Sequence, residues 1–101
     1  MGERGRAIAR RRTRRDDNET EIIQAFEKSG ATVYVMDKPL DLLVGIHGHN
    51  ILVEVKDGSK PLSRRRLTKD EDQFMMTWRG SCHVIDTADG ARALIETYKR
   101  K

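Results

Sequence analysis

Two short apolar runs constrain this chain more than any other feature. Leu40-Asp41-Leu42-Leu43-Val44-Gly45-Ile46 is followed by Ile51-Leu52-Val53-Glu54-Val55-Lys56, with His47-Gly48-His49-Asn50 between them. Runs of this length, rich in branched residues and separated by a short Gly-containing segment, read as the two strands of a hairpin. The ionisable groups inside the runs are one aspartate, one glutamate and one lysine. A buried charge is expensive unless something compensates it. The strands therefore call for a fold in which these three groups meet one another or a cation.

Side chains alternate across a strand, so Glu54 and Lys56 share a face while Val53 and Val55 take the other. Asp41 opens its strand at the end far from the turn. With antiparallel neighbours about 4.8 Å apart, it falls near residues 54–58 of the partner strand. Asp41 and Glu54 can then chelate one cation. Mg²⁺ prefers oxygen ligands and keeps several waters, and the Val55 carbonyl is a reasonable further ligand. Such an ion acidifies a water for in-line attack on phosphorus and neutralises charge on the phosphate. Lys56, a compact point charge, suits the orientation of that water or the stabilisation of developing charge.

The remaining segments supply elements around the hairpin. Asp16, Asp17 and Asn18 can cap a helix in which Ile22, Ile23, Ala25 and Phe26 recur at helical spacing and which stops at Ser29-Gly30. Glu19 lies on that helix's core-facing stripe and Glu21 lies off it, so Glu19 is the better third carboxylate. Residues 31–36 read as a strand, 40–46 as a second and 51–57 as a third. A basic loop with Lys60, Arg64, Arg65 and Arg66 follows. Thr68 and Glu71 form a capping box at the start of a helix that runs to about Arg79. Residues 82–86 read as a fourth strand, and Thr87 caps a last helix with Ala91, Leu94, Ile95 and Tyr98 on one face. The fold class is α/β: a single domain in the order α-β-β-β-α-β-α, with a mixed central sheet flanked by helices.

Gln73 sits early in the second helix beside Phe74. It can hydrogen-bond the lysine or a water of the site, or simply face solvent; both readings stand. His47 and His49 read as a surface loop. Cys82 and His83 are neighbours in a strand and so face opposite ways. Met36, Met75, Met76 and Trp78 read as core or helix packing.

Net charge is +4, but it is uneven. Residues 1–15 carry seven arginines and one glutamate; the rest carries 13 basic and 15 acidic side chains. Residues 1–15 thus read as a flexible basic arm and residues 16–101 as the folded domain. Arg10, Arg11, Arg12, Arg14 and Arg15, with the Lys60–Arg66 loop, form a footprint suited to a phosphate backbone. A solvated tail explains the arm equally well. Five aromatics are too few for a base-stacking platform. The lone Cys82 rules out an intrachain disulfide and fits a reducing cytosol. The Arg-rich start is not a secretory signal, and no run approaches the ~18 apolar residues of a membrane span. The expectation is a cytoplasmic protein with no membrane partner and no small-molecule cofactor.

Together these residues resemble the PD-(D/E)XK nuclease superfamily, and within it the VRR-NUC-like and Holliday-junction-resolvase-like small nucleases. The family pattern is a helix with Glu, a Pro-Asp opening a strand, a Glu-x-Lys on the next, and a helix with Gln. The matching positions are Glu19, Asp41, Glu54, Lys56 and Gln73, and the likeness covers about residues 16–86. It extends to short stand-alone phage versions, where a strand similar to residues 51–58 precedes a basic loop and a helix ending in Trp-x-Gly. Leu40 interrupts the Pro39–Asp41 pair, and Glu21 is a second helix carboxylate. The resemblance implies a restriction-endonuclease-like core, Mg²⁺ dependence with Mn²⁺ as substitute, DNA as substrate and frequent homodimers. A chain of this size has few side chains left to read base edges, so recognition of branched or flapped DNA is expected. The alternative is a nucleic-acid-binding module of the same fold that does not cleave.

Overall fold

The computed structural model describes residues 17–101 and, before them, the backbone of Arg6–Ile8. Helix α1, Glu19–Lys28, forms where Ile22, Ile23, Ala25 and Phe26 make one buried stripe. Fully burying a side chain such as Ile22 or Phe26 contributes about 1.5–3 kcal/mol. The helix ends in a Schellman motif: Gly30 N–H donates to the Glu27 carbonyl and Ala31 N–H to that of Phe26. Gly30 takes the positive φ of 102° that this ending requires.

Strands β2 (Thr32–Val35), β3 (Leu42–Ile46) and β4 (His49–Val55) form an antiparallel meander. The turn between β3 and β4 is only His47-Gly48, both at positive φ, as a tight two-residue hairpin turn demands. The strand therefore begins at His49, two residues earlier than the sequence reading. Strand β5 (Cys82–Ile85) pairs in parallel with β4 after a crossover through helix α2, Lys69–Thr77. Helix α3, Ala88–Lys99, follows, its first turn capped by Thr87 Oγ1 accepting from Gly90 N–H at 3.0 Å.

The expected order α-β-β-β-α-β-α is thus the observed one. A further strand, β1 (Arg6–Ile8), pairs in parallel with β2 and makes the sheet five-stranded, in the order β1-β2-β3-β4-β5. Three residues assigned to a flexible arm therefore belong to the sheet. Parallel neighbours need a crossover, and α1 provides it as α2 does for β4 and β5. Arg10, Arg11, Arg12, Arg14 and Arg15 lie outside the described residues.

Leu42, Val44, Ile46, Ile51, Val53 and Val55 alternate onto one sheet face and are buried with the stripes of α1 and α3. On the other face Tyr34 and Val84 are exposed and Leu43 and Leu52 half-buried. Helix α2 buries none of its residues. Met76 is 77% and Trp78 49% exposed, so neither enters the core, although Trp78 stacks on Phe74 with 5.1 Å between ring centroids. Their helix contributes few apolar positions to any one face, and the core is already filled by α1 and α3. Among the described residues no helix is long and apolar enough to cross a membrane.

Candidate active site

The hairpin register places the carboxylates. Leu42 pairs with Val53, so one step further Asp41 stands opposite Glu54, at the end of the strands away from the turn. Directly opposed residues of an antiparallel pair point to the same face. Asp41 is fixed from both sides: its carbonyl accepts from Met36 N–H at 2.7 Å, and its Oδ2 accepts from the buried Val55 N–H at 2.8 Å. The N–H and C=O of one strand residue point the same way, so the Val55 carbonyl is on the Asp41 side of β4. Leu40, which interrupts the Pro-Asp pair, is a fully buried core residue.

Lys56 Nζ stands 3.5 Å from Glu54 Oε2 and donates to Glu71 Oε1 at 3.1 Å. Glu71 is the residue that sequence reasoning missed. It is visible there as half of a capping box, and the box is present: Glu71 N–H donates to Thr68 Oγ1 and Thr68 N–H to Glu71 Oε1. The missed signal is that this first-turn carboxylate follows the Lys56 strand through one loop and can fold back on it. Gln73, the expected contributor, is exposed. Two residues turn the helix by about 200°, so Gln73 and Glu71 cannot face the site together.

These contacts set the charge state. Glu54 is pushed up from 4.5 to about 9, first by burial, then by its hydrogen bond with Glu71 and by the negative charges of Asp41 and Glu71; Lys56 pulls the other way. Glu54 thus keeps a proton at neutral pH and donates it to Glu71. Burial also pushes the Glu71 carboxyl up, but hydrogen bonds from Glu54, the Thr68 amide and Lys56 outweigh it and hold Glu71 below its usual range. Burial pushes the Lys56 ammonium down, and Glu71 and Glu54 more than compensate, so it is raised above 10.5.

Glu19 is buried in the first turn of α1 and Glu21 is exposed, as their positions on the helix imply. The neighbouring Asn18, expected to cap α1, makes no capping hydrogen bond. Its amide donates instead to the carbonyls of Lys56 and Asp86, both at 3.0 Å, pinning the start of α1 across the ends of β4 and β5. Glu19 is therefore at the carboxylate end of the sheet.

In the basic loop, Arg64 and Arg66 are exposed and Lys60 half-buried. Arg65 differs: its Nη1 donates to Asp86 Oδ2 at 3.3 Å, which makes it an anchor of the loop and not a free phosphate contact. Asp57 Oδ1 accepts from both Ser59 N–H and Oγ–H, shaping the loop's start. Among the described residues the histidines make no contact with the Asp41 and Glu54 carboxylates. His47 lies in the hairpin turn, and His83 Nε2 is 3.0 Å from the Tyr98 hydroxyl. An open groove of about 760 Å³ at the turn end, lined by Thr32, His47, His49 and Lys99, is likewise remote from the carboxylates.

Asp41 and Glu54 offer oxygen donors of the kind a divalent cation takes. Two opposed carboxyl groups, one forced to retain a proton by burial and its neighbour's charge, form a site short of positive charge. Among the described residues no three His, Cys, Asp or Glu side chains already stand together as a ready-made cluster. Against family models, curated proteins and solved structures, the chain has no match.

Proposed function

We propose that the chain is a Mg²⁺-dependent DNA endonuclease of the PD-(D/E)XK type. The observation that carries this reading is the in-register pairing of buried Asp41 with buried Glu54, with the Lys56 ammonium beside Glu54. A module that only binds DNA has no need of two opposed buried carboxyl groups, the charge of one pushing the other up. Asp41, Glu54 and the Val55 carbonyl would hold the ion, with Glu19 as the helix carboxylate and Mn²⁺ as a substitute. The ion supplies Lewis-acid chemistry to the phosphate and to the attacking water. Lys56 places a fixed positive charge where negative charge grows on the phosphoryl oxygens. Asp41, held by Val55 N–H and Met36, keeps its orientation without reorganisation.

Lys60, Arg64 and Arg66, with Arg10, Arg11, Arg12, Arg14 and Arg15, supply the phosphate contacts. Contacts of this kind follow the shape of the backbone and do not read sequence, which favours a branched or flapped substrate. Paired cuts on two strands call for two sites, and a two-fold homodimer provides them. The test is cleavage of supercoiled plasmid and of a synthetic four-way junction, with Mg²⁺ and with EDTA. Cleavage by the wild type that EDTA abolishes, that Asp41→Asn and Glu54→Gln each abolish, and that Lys56→Ala slows, is the expected result. Full activity of any of these variants refutes the assignment. Light scattering at micromolar concentration tests the dimer; a mass of one 11.6 kDa chain with and without DNA refutes it.

A further inference from the structure

We infer that Glu71 is the positioning residue of this site: it holds the Lys56 ammonium, and the cap of α2 holds Glu71. The catalytic consequence rests on the nuclease reading; the positioning does not. A lysine ammonium sits on a flexible four-carbon stem and is mobile unless partners fix it. Two carboxyl groups approach it here, Glu71 Oε1 at 3.1 Å and Glu54 Oε2 at 3.5 Å. Glu54 is a proposed ion ligand, so a bound cation competes for its carboxylate. Glu71 is then the partner left to Lys56.

Glu71 is itself fixed independently of the lysine. The oxygen that accepts from Lys56 also accepts from Thr68 N–H at 2.9 Å, while Glu71 N–H donates to Thr68 Oγ1 at 3.1 Å. This reciprocal box selects one side-chain conformation, so Glu71 is a rigid post and not a wandering surface group. Lys56 and Glu71 expose only 14% and 21% of their side chains, so water and salt screen the pair less than a surface pair. Helix α2 buries none of its own residues. Its start is tied to the sheet through this polar contact, and the lysine and the helix cap form one unit.

A charge-removing change that keeps the cap separates positioning from folding. Glutamine serves as well as glutamate at this place in a capping box, so Glu71→Gln keeps the bond to Thr68 N–H and loses the anionic partner of Lys56. Thr68→Ala does the reverse: it removes the hydroxyl and leaves both the Thr68 N–H and the carboxylate. Three readouts apply to both variants and the wild type: the ¹H–¹⁵N resonance of the Lys56 ammonium (assigned by its absence in Lys56→Ala), Mn²⁺ affinity by calorimetry, and kcat with KM on the junction substrate. In wild type the ammonium resonance is sharp and slow to exchange. In Glu71→Gln it broadens away and kcat falls about a hundredfold, the scale of loss for a misplaced reactive group. KM stays within about twofold, as fits a residue that does not touch DNA, and Mn²⁺ still binds. Thr68→Ala removes one of the two cap bonds and leaves the carboxylate, so the resonance broadens only in part and kcat falls less than in Glu71→Gln. A sharp Lys56 resonance in Glu71→Gln overturns the inference, and so does a Thr68→Ala kcat as low as that of Glu71→Gln. A wild type that cuts no DNA with Mg²⁺ defeats the nuclease reading, while loss of the resonance in Glu71→Gln still supports the positioning.

Discussion

Glu54→Gln should remove most of the pH dependence of stability that the metal-free protein shows just above neutrality. In the folded chain the Glu54 carboxyl is pushed from 4.5 to about 9, chiefly by burial. Between those values the folded state binds a proton that the unfolded state has released, so stability falls as pH rises. The slope for one proton is about 1.4 kcal/mol per pH unit well inside that interval and falls off toward either end. From pH 7.0 to 8.5 the wild type should lose about 2 kcal/mol. The other shifted groups of the described residues titrate outside this window. Burial holds His83 below 6.5, and the unfolded imidazole has lost most of its proton by pH 7, so its opposing effect in this window is small. Glu71 and Asp57 are lowered from 4.5 and 3.8, and Lys56 is raised from 10.5. Glutamine has no proton to lose and can still donate to Glu71. The assay is urea unfolding in EDTA, followed by circular dichroism across this pH range. With about 1–2 kcal/mol per molar urea for a domain of this size, the wild-type midpoint should drop by roughly 1–2 M while the variant's stays nearly level. Parallel midpoints for the two proteins would refute the protonated, buried Glu54.

Asp41→Ala should destabilise the metal-free protein by about 1–3 kcal/mol, because it strands the buried Val55 N–H, whereas Asp41→Asn retains an acceptor and should cost less; thermal melts in EDTA check the difference. Asn18→Ala should cost about 1 kcal/mol in denaturant titrations, since two part-buried carbonyls lose the amide that bridges them. Arg64→Ala and Arg66→Ala should each reduce the log–log salt slope of DNA binding by about 0.9, whereas Arg65→Ala, whose guanidinium is engaged by Asp86, should leave it unchanged. Fluorescence anisotropy from 50 to 200 mM salt measures all three; equal slopes for every variant would remove the loop from the interface.

Much of this arrangement is legible without coordinates, and the reason is locality. Apolar periodicity selects α1 and α3 and the faces they bury, and alternation along β3 and β4 selects which strand residues go inside. The Gly-containing loop at residues 47–50 is enough to bring Asp41 near residues 54–58; the two-residue turn His47-Gly48 of the folded chain narrows that to Glu54. The capping box marks the start of α2 because both of its partners lie within one turn.

What the sequence left open depends on the path of a loop or on contacts between distant segments. Thirteen residues separate Val55 from Lys69, and their course decides which first-turn residue of α2 meets Lys56; it brings Glu71 and turns Gln73 to solvent. Asn18 reads as a cap, but its amide reaches the ends of β4 and β5, which only packing of α1 on the sheet makes near. Arg65 is indistinguishable from Arg64 and Arg66 until Asp86 folds beside it. The pairing of β1 with β2 spans the whole of α1. The proton on Glu54 is the clearest case: burial and the converging charges of Asp41 and Glu71 create it, and both arise only when the strands and α2 are assembled.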